Sequence, residues 1–356
     1  MLSSNEFKTC IQRCAREIDE EIRFSEGIFL IAGASGLIGS VMVDCILAMN
    51  DMLETRFRVI ALARNPAKAA EQFAPYFNRE DFQFVPCDIN GRIPEMGTVD
   101  YIIHGASNTH PIAYSRDPIG TIKTNIMGTD NLLSYGVRHS VRRFVFLSSV
   151  EIYGEARGEN QSFSELDLGY LDCNQVRAGY PESKRVGESL CRAYESSYGL
   201  DVVIPRLCRV YGPTMRQDDS KALAQFIRRA AAGEDIILKS KGQQFYSYIH
   251  VMDAVKAIFC IMDRGEAGQA YNVSSEKSDI TLAELAGKLA RRAGTRVIYE
   301  IPDEAERRGY STATRAVLDS SKLKALGWEA SYDLDRGMEM TIRILKELKQ
   351  KQGMQS

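Results

Sequence analysis

The chain has 356 residues, 44% of them apolar and 26% charged, with a net charge of -2. That length suits two lobes around a large core, and the near-neutral balance gives no pull toward nucleic acid or an anionic membrane surface. The eight cysteines and four histidines lack metal-ligand spacing, which reads as free thiols of a reducing, cytoplasmic setting and no metal site.

The first residues carry Glu, Lys and Arg rather than a signal-peptide core, and no apolar run reaches membrane-spanning length. Phe7, Cys10, Ile11, Cys14, Ile18 and Ile22 recur at helical spacing, so residues 1–24 are expected to hold an amphipathic helix for packing or oligomer contact. Strands are expected at 28–32, 58–63, 82–85, 101–104, 143–148 and 201–206. Helices are expected at 37–49, 121–135 and 180–198. This alternation over residues 25–206 predicts an α/β fold with a doubly wound parallel sheet. From 207 to 346 the alternation loosens. Helices are expected at 222–232, 253–262 and 281–293 and a strand at 296–300, giving a smaller mixed α/β lobe over the sheet's carboxyl edge. Residues 347–356 read as a polar tail that frays.

Gly33, Gly36 and Gly39 lie between the first strand and the first helix, with Ser35, Leu37 and Ile38 among them. Glycines there allow a tight turn and the approach of a pyrophosphate to a helix N-terminus. Their three-three spacing resembles the extended short-chain dehydrogenase/reductase superfamily, a Rossmann-like fold, and makes residues 25–206 the dinucleotide-binding domain. An acidic residue at the end of the second strand would hold the adenosine ribose of NAD, but Arg64 stands there. Arg64 suits a 2′-phosphate or stacks on adenine, so NAD and NADP both stay open. The same resemblance places Asp88 and Ile89 at the adenine, and Ala106, Ser107 and Asn125 along the cofactor.

Tyr180 and Lys184, four apart on a helix, share one face, and an ammonium beside a phenol is expected to lower the tyrosine pKa. Ser149, at the carboxyl end of the fifth strand, faces them across the crevice. In the expected triad, Ser149 orients a substrate alcohol, Tyr180 removes its proton, Lys184 tunes Tyr180 and binds the ribose, and nicotinamide takes the hydride.

With Asp117–Thr129, Tyr211-Gly-Pro213, Gly242-Gln243, Ile249–Asp253, Tyr271-Asn-Val273 and Leu326-Gly-Trp328, the chain resembles the extended short-chain nucleotide-sugar epimerases, dehydratases and decarboxylases over nearly its whole length. Arg177, Arg185 and Glu151 make it nearest in motif to UDP-glucuronate decarboxylases. The resemblance implies a transient keto group at sugar carbon 4, tightly held NAD and a homodimer contacting through two helices, one beginning at Tyr180. Simple 4-epimerases need no carboxylate at position 151. Dehydratases carry an Asp-Glu pair there, and decarboxylases carry Glu alone. Here the pair is Val150-Glu151. The chain departs from the decarboxylase pattern where Tyr246 and Thr214 replace arginines, Arg209 replaces an asparagine, and Ser220-Lys221 replaces Gly-Arg. Losing a guanidinium removes bidentate carboxylate recognition. Arg177, Arg206, Arg209, Arg216, Lys221, Tyr246 and Arg315 are the candidate substrate contacts. Two other readings stay open: an NADPH-dependent carbonyl reductase, which Arg64 favours, and a non-catalytic relative that only binds the dinucleotide.

Overall fold

Seven apolar segments pair side by side, all parallel, in the computed structural model, which describes residues 1–109, 116–156, 162–300 and 313–353. They are β1 (Glu26–Ala32), β2 (Arg56–Ala63), β3 (Phe82–Pro86), β4 (Tyr101–His104), β5 (Arg143–Phe146), β7 (Val202–Leu207) and β12 (Ala270–Val273). Their order across the sheet is β12-β7-β5-β4-β1-β2-β3, with the short β6 (Ser148–Ser149) continuing beside β7. Side chains alternate between the faces of a strand. Phe29 and Ile31 accordingly join one core cluster, while Leu30 and Ala32 join the other. Val59 and Ala61 part from Ile60 and Leu62 in the same way. Both faces are covered, which is why these strands read as continuous apolar runs rather than alternating ones.

The cover on one face includes α1 (Asn5–Asp19) and α2 (Leu37–Met52). The apolar stripe of α1, from Phe7 to Ile18, packs on the chain's own α2 and on α7 (Val251–Arg264). The other face carries α4 (Pro118–Arg138) and α5 (Gly179–Tyr198), packed against each other. A short α3 (Pro66–Gln72) follows β2, capped by Asn65 and started by Pro66.

Residues beyond 207 divide between two places. α7, nearly all buried, and β12 return to the large sheet, where β12 forms the edge beside β7. The remainder builds the mixed lobe. Its helices include α6 (Ala222–Ala232) and α8 (Leu282–Ala293). Its strands form three small groups. β8 (Arg209–Tyr211) pairs with β11 (Tyr248–His250), and β9 (Ile236–Leu238) with β14 (Val297–Tyr299). β10 (Phe245–Tyr246) lies between β13 (Ile280–Thr281) and β15 (Arg315–Ala316). The final helix α9 (Leu334–Gly353) runs on past Lys346, where a frayed tail was expected over 347–356; residues 354–356 of that tail lie outside the described residues. Glu347 explains this. Its carboxylate accepts from Ser4 Oγ at 2.5 Å and Asn5 N at 2.9 Å, capping the start of α1, and pairs with Lys351 at 2.9 Å. A polar sequence stays helical when its charges find such partners.

Candidate active site

β1 and β4 are neighbours in the sheet, but the connections leaving them run to opposite faces, so a crevice opens at their carboxyl ends. A cleft of about 580 Å³ fills this space. Gly33, Ser35, Gly36, Leu37, Ile38 and Gly39 form its floor. Gly33 has φ +85°, and a Cβ there would stand 2.8 Å from the Ala106 nitrogen. A Cβ on Gly39 would overlap the Gly33 carbonyl. Gly36 caps α2 without any side-chain hydrogen bond, so the first-turn N–H groups are left for an anion. Thr214 Oγ1 donates to Leu37 O at 2.8 Å, tying the lobe to this turn. Lys68 Nζ donates to Ser35 O at 3.0 Å and lines the cleft. The sequence reading did not single out Lys68, although a lysine five residues past the end of β2 was there to notice.

Arg64 is exposed on the cleft's rim, with Nη2 3.5 Å from Asn108 Oδ1. Ile89, Ala106 and Ser107 line the cleft. Asp88 does not, because its carboxylate accepts from Asn90 N at 3.0 Å to close the turn after β3. Asn125 also stands behind the wall. It accepts from Ser107 Oγ at 2.7 Å and donates to Ser183 Oγ at 2.9 Å, joining the loop after β4 to α5. It positions Ser107 rather than facing the cleft.

Ser149, Tyr180 and Lys184 meet at the far end of the cleft. β6 ends at Ser149, and α5 puts Tyr180 in its first turn and Lys184 one turn later. Tyr180 and Lys184 are both buried, and the Ser149 hydroxyl is hydrogen-bonded to the Tyr180 phenol. The expected lowering of the Tyr180 pKa by Lys184 is not what the structure shows. Burial pushes the phenol above its ordinary value, and Ser149 and Arg177 offset only part of that rise. Lys184 Nζ donates to Leu147 O at 2.9 Å and lies 4.7 Å from the centre of the Phe146 ring. Burial brings Lys184 down to about 8, against the opposing pull of Glu188. It therefore stays largely an ammonium at neutral pH.

Beneath this centre lies a network the sequence reading did not find. Glu188 accepts from Ser148 Oγ at 2.5 Å and from Arg206 at 2.7 and 3.1 Å. Arg206 also donates to Tyr153 Oη at 2.9 Å and Glu165 O at 2.8 Å. Arg206 is thus committed to the protein and lines neither cavity, contrary to its place among the candidate substrate contacts. The signal for Glu188 was present: it lies four residues after Lys184, on the same helix face.

Glu151 forms the wall beside Ser149, whose Oγ accepts from Glu151 N at 3.2 Å. Arg177 Nη2 lies 2.8 Å from Glu151 Oε2, and Arg209 Nη2 lies 3.9 Å from Oε1. Burial pushes the Glu151 carboxyl up, but Arg177, Arg209 and the more distant Lys221 outweigh it and hold the group below the usual carboxylate range. Glu151 is therefore ionised at neutral pH and can accept a proton. Arg209 lies flat on Tyr246, its Cζ 3.4 Å from the ring centre. Lys221 lines the large cleft and pairs with Asp219 at 3.2 Å, while Arg216 pairs with Asp218. Arg315 lies over Phe245 at 4.7 Å and lines neither cavity. A second cavity of about 110 Å³ sits behind the wall, bordered by Val150, Glu151, Arg177, Pro181, Arg209 and Ala316.

Residues 29–274 match the NAD dependent epimerase/dehydratase family. Over 317 residues the chain is 29% identical to UDP-glucuronic acid decarboxylase 3 of Arabidopsis thaliana, covering 87% of this chain and 86% of the relative. Over 318 residues it is 30% identical to dTDP-glucose 4,6-dehydratase of Streptomyces griseus, covering 88% and 92%. The crystal structure of DesIV, a dTDP-glucose 4,6-dehydratase from Streptomyces venezuelae with NAD and TYD bound, superposes with a TM-score of 0.77 at 27% identity. That match covers 91% of this chain and 98% of the other.

Proposed function

The chain belongs to the NAD-dependent epimerase/dehydratase family, and from that premise we propose that it modifies a nucleotide sugar by transient oxidation at carbon 4, followed by decarboxylation or epimerisation. The carrying observation is that Ser149, Tyr180 and Lys184 converge in one cleft with an ionised Glu151 beside them.

The cleft suits NAD: an uncapped helix start above close-packed glycines for the pyrophosphate, Arg64 and Ile89 toward the adenosine end, and Lys184 for the second ribose. When bound, NAD supplies a reversible hydride acceptor. Ser149 holds the carbon 4 hydroxyl, and Tyr180 takes its proton and later returns it. Lys184 supplies a positive charge on the same helix face, which favours the phenolate while the proton is away. For decarboxylation, a keto group at carbon 4 makes a carboxylate on carbon 5 a β-keto acid, so CO₂ leaves while its bonding electrons pass to the carbon 4 oxygen as an enolate. Carbon 5 then takes a proton from water held by Glu151, which Arg177 and Arg209 keep ionised. Val150, buried and apolar, offers no acid to expel a carbon 6 hydroxyl, which weighs against dehydration.

The relatives named for decarboxylation and dehydration support the nucleotide-sugar class. The protein is proposed to work in the cytoplasm, whose reducing setting suits its eight free cysteines. We also propose a homodimer through α4 and α5, where Ile119, Met127 and Val186 are exposed.

The test is incubation of the purified protein with UDP-, dTDP-, GDP- and CDP-sugars, followed by mass spectrometry and NMR. Loss of the mass of CO₂ or an inverted carbon 4 supports the proposal. Loss of the mass of water assigns a dehydratase instead. Stoichiometric consumption of added NADPH would establish the carbonyl-reductase reading. No change in any sugar, with NAD bound, would leave the dinucleotide-binding relative.

A further inference from the structure

Arg209 stands beside Glu151 with a looser partner than Arg177 has. Arg177 and Arg209 face one carboxylate, and the side chains of Arg177, Arg209 and Glu151 are only 15%, 19% and 20% exposed. Lys221 has its own partner in Asp219. Among the described residues Arg209 has no carboxylate at hydrogen-bond distance, and a charge so placed in poorly solvated surroundings is costly. Arg177 takes Glu151 at hydrogen-bond distance, but Arg209 stays 3.9 Å away. The Nη1 group of Arg209 is buried and has no hydrogen-bond partner among the described residues.

The orientation of that guanidinium is also fixed. Tyr246 is anchored by its hydroxyl, which donates to Ala313 O at 2.8 Å, and by its strand register opposite Ile280 and Ala316. Arg209 is stacked on the Tyr246 ring, so its N–H groups lie in a plane held by the ring beneath. A planar fork with free edge donors fits a carboxylate better than a neutral hydroxymethyl group. Arg209 borders both the large cleft and the small cavity behind Glu151. Ser149 links this wall to Tyr180, since it is hydrogen-bonded to both the phenol and Glu151 N. In a sugar with carbon 4 at Tyr180, carbon 5 is the next ring atom, and the substituent it carries can turn toward Arg209.

We propose that Arg209, held flat by Tyr246, is the specificity-determining residue that reads a carboxylate on sugar carbon 5, so that the substrate is a nucleotide hexuronate rather than a neutral nucleotide hexose. Position 246 supplies the platform, and the guanidinium arrives from β8. The inference rests on the nucleotide-sugar reading and narrows it.

The test is calorimetric titration of the NAD-loaded protein, and of Arg209→Gln and Arg209→Lys, with UDP-glucuronate, UDP-glucose and UDP. Melting curves verify that each variant is folded. The wild type is expected to favour UDP-glucuronate over UDP-glucose. Arg209→Gln should lower that ratio by roughly 30-fold or more while leaving UDP binding unchanged. Arg209→Lys keeps the charge without the fork and should fall between. If the ratio survives in Arg209→Gln, Arg209 serves only to hold Glu151 and the proposal fails. If UDP binding falls equally, Arg209 reads diphosphate and the proposal fails. Wild-type binding of UDP and UDP-glucose with no preference for the hexuronate overturns this inference alone. Absence of binding by all three overturns the nucleotide-sugar reading with it.

Discussion

The floor of the cleft keeps its shape through main-chain geometry, whereas the wall around Glu151 keeps its shape through opposed charges. On the floor, Gly33 and Gly39 are positions where the backbone itself comes too close for a side chain. On the wall, Glu151, Arg177, Arg209 and Tyr246 come from four separate stretches of chain: Arg177 and Arg209 flank Glu151, and the Tyr246 ring supports Arg209. The difference separates two kinds of dependence. The floor answers to steric room and governs whether a dinucleotide is held. The wall answers to charge balance and, in the proposed reaction, governs the fate of the sugar once carbon 4 is oxidised.

The largest expected effect lies where the two regions meet. Tyr180→Phe should lower turnover by roughly 100- to 10,000-fold, the usual weight of a positioned acid-base group, with melting temperature and bound NAD unchanged. Sugar conversion followed by mass spectrometry measures it. Retained turnover would place the chemistry elsewhere and undo the comparison.

Glu188→Ala comes next, because it strands a charge under both regions. Arg206 is only 10% exposed and would lose its carboxylate. Denaturant unfolding should show a loss of about 3–5 kcal/mol, the range for breaking a buried pair by removing one partner. A loss under about 1 kcal/mol would mean that Tyr153 and the Glu165 carbonyl suffice to hold Arg206.

Gly33→Ala sharpens the contrast directly. It forces a side chain into φ +85° against the Ala106 nitrogen. The expected cost is about 1–3 kcal/mol, together with weakened NAD retention measured on the purified protein. Glu151→Gln should do the reverse, keeping NAD but losing turnover on the true substrate. If both variants lost NAD alike, floor and wall would not be separable.

The smallest effect concerns acid. Burial holds His250 down to about 3 from an ordinary 6.5. Between those values the unfolded chain binds a proton that the folded chain refuses. The stability owed to the neutral ring is therefore complete above pH 6.5 and is lost as pH falls toward 3, at about 1.4 kcal/mol per pH unit. The difference in unfolding free energy between the wild type and His250→Asn, compared at about pH 7 and about pH 5.5, isolates this group from the rest of the chain. A difference that stays constant would show that His250 is not the group responsible.

The sequence by itself determined the β-α alternation, the glycine turn and the choice of Ser149, Tyr180 and Lys184 as the proposed reaction centre. These rest on near neighbours: runs of apolar residues, glycines between a strand and a helix, and a four-residue spacing that a helix turns into one face. The tertiary structure alone decided which cations are spent and which are available. Arg206 and Arg209, three residues apart and alike in sequence, part company because Glu188 lies against one and the Tyr246 ring against the other. It also decided that Lys184 donates to Leu147 O while burial raises Tyr180, that Asn125 stands behind Ser107, and that Glu347 ends up on α1. An ion pair or a stacked guanidinium depends on what lies within a few ångströms. Periodicity tells which way a side chain points, but its partner is set by segments that only folding brings together.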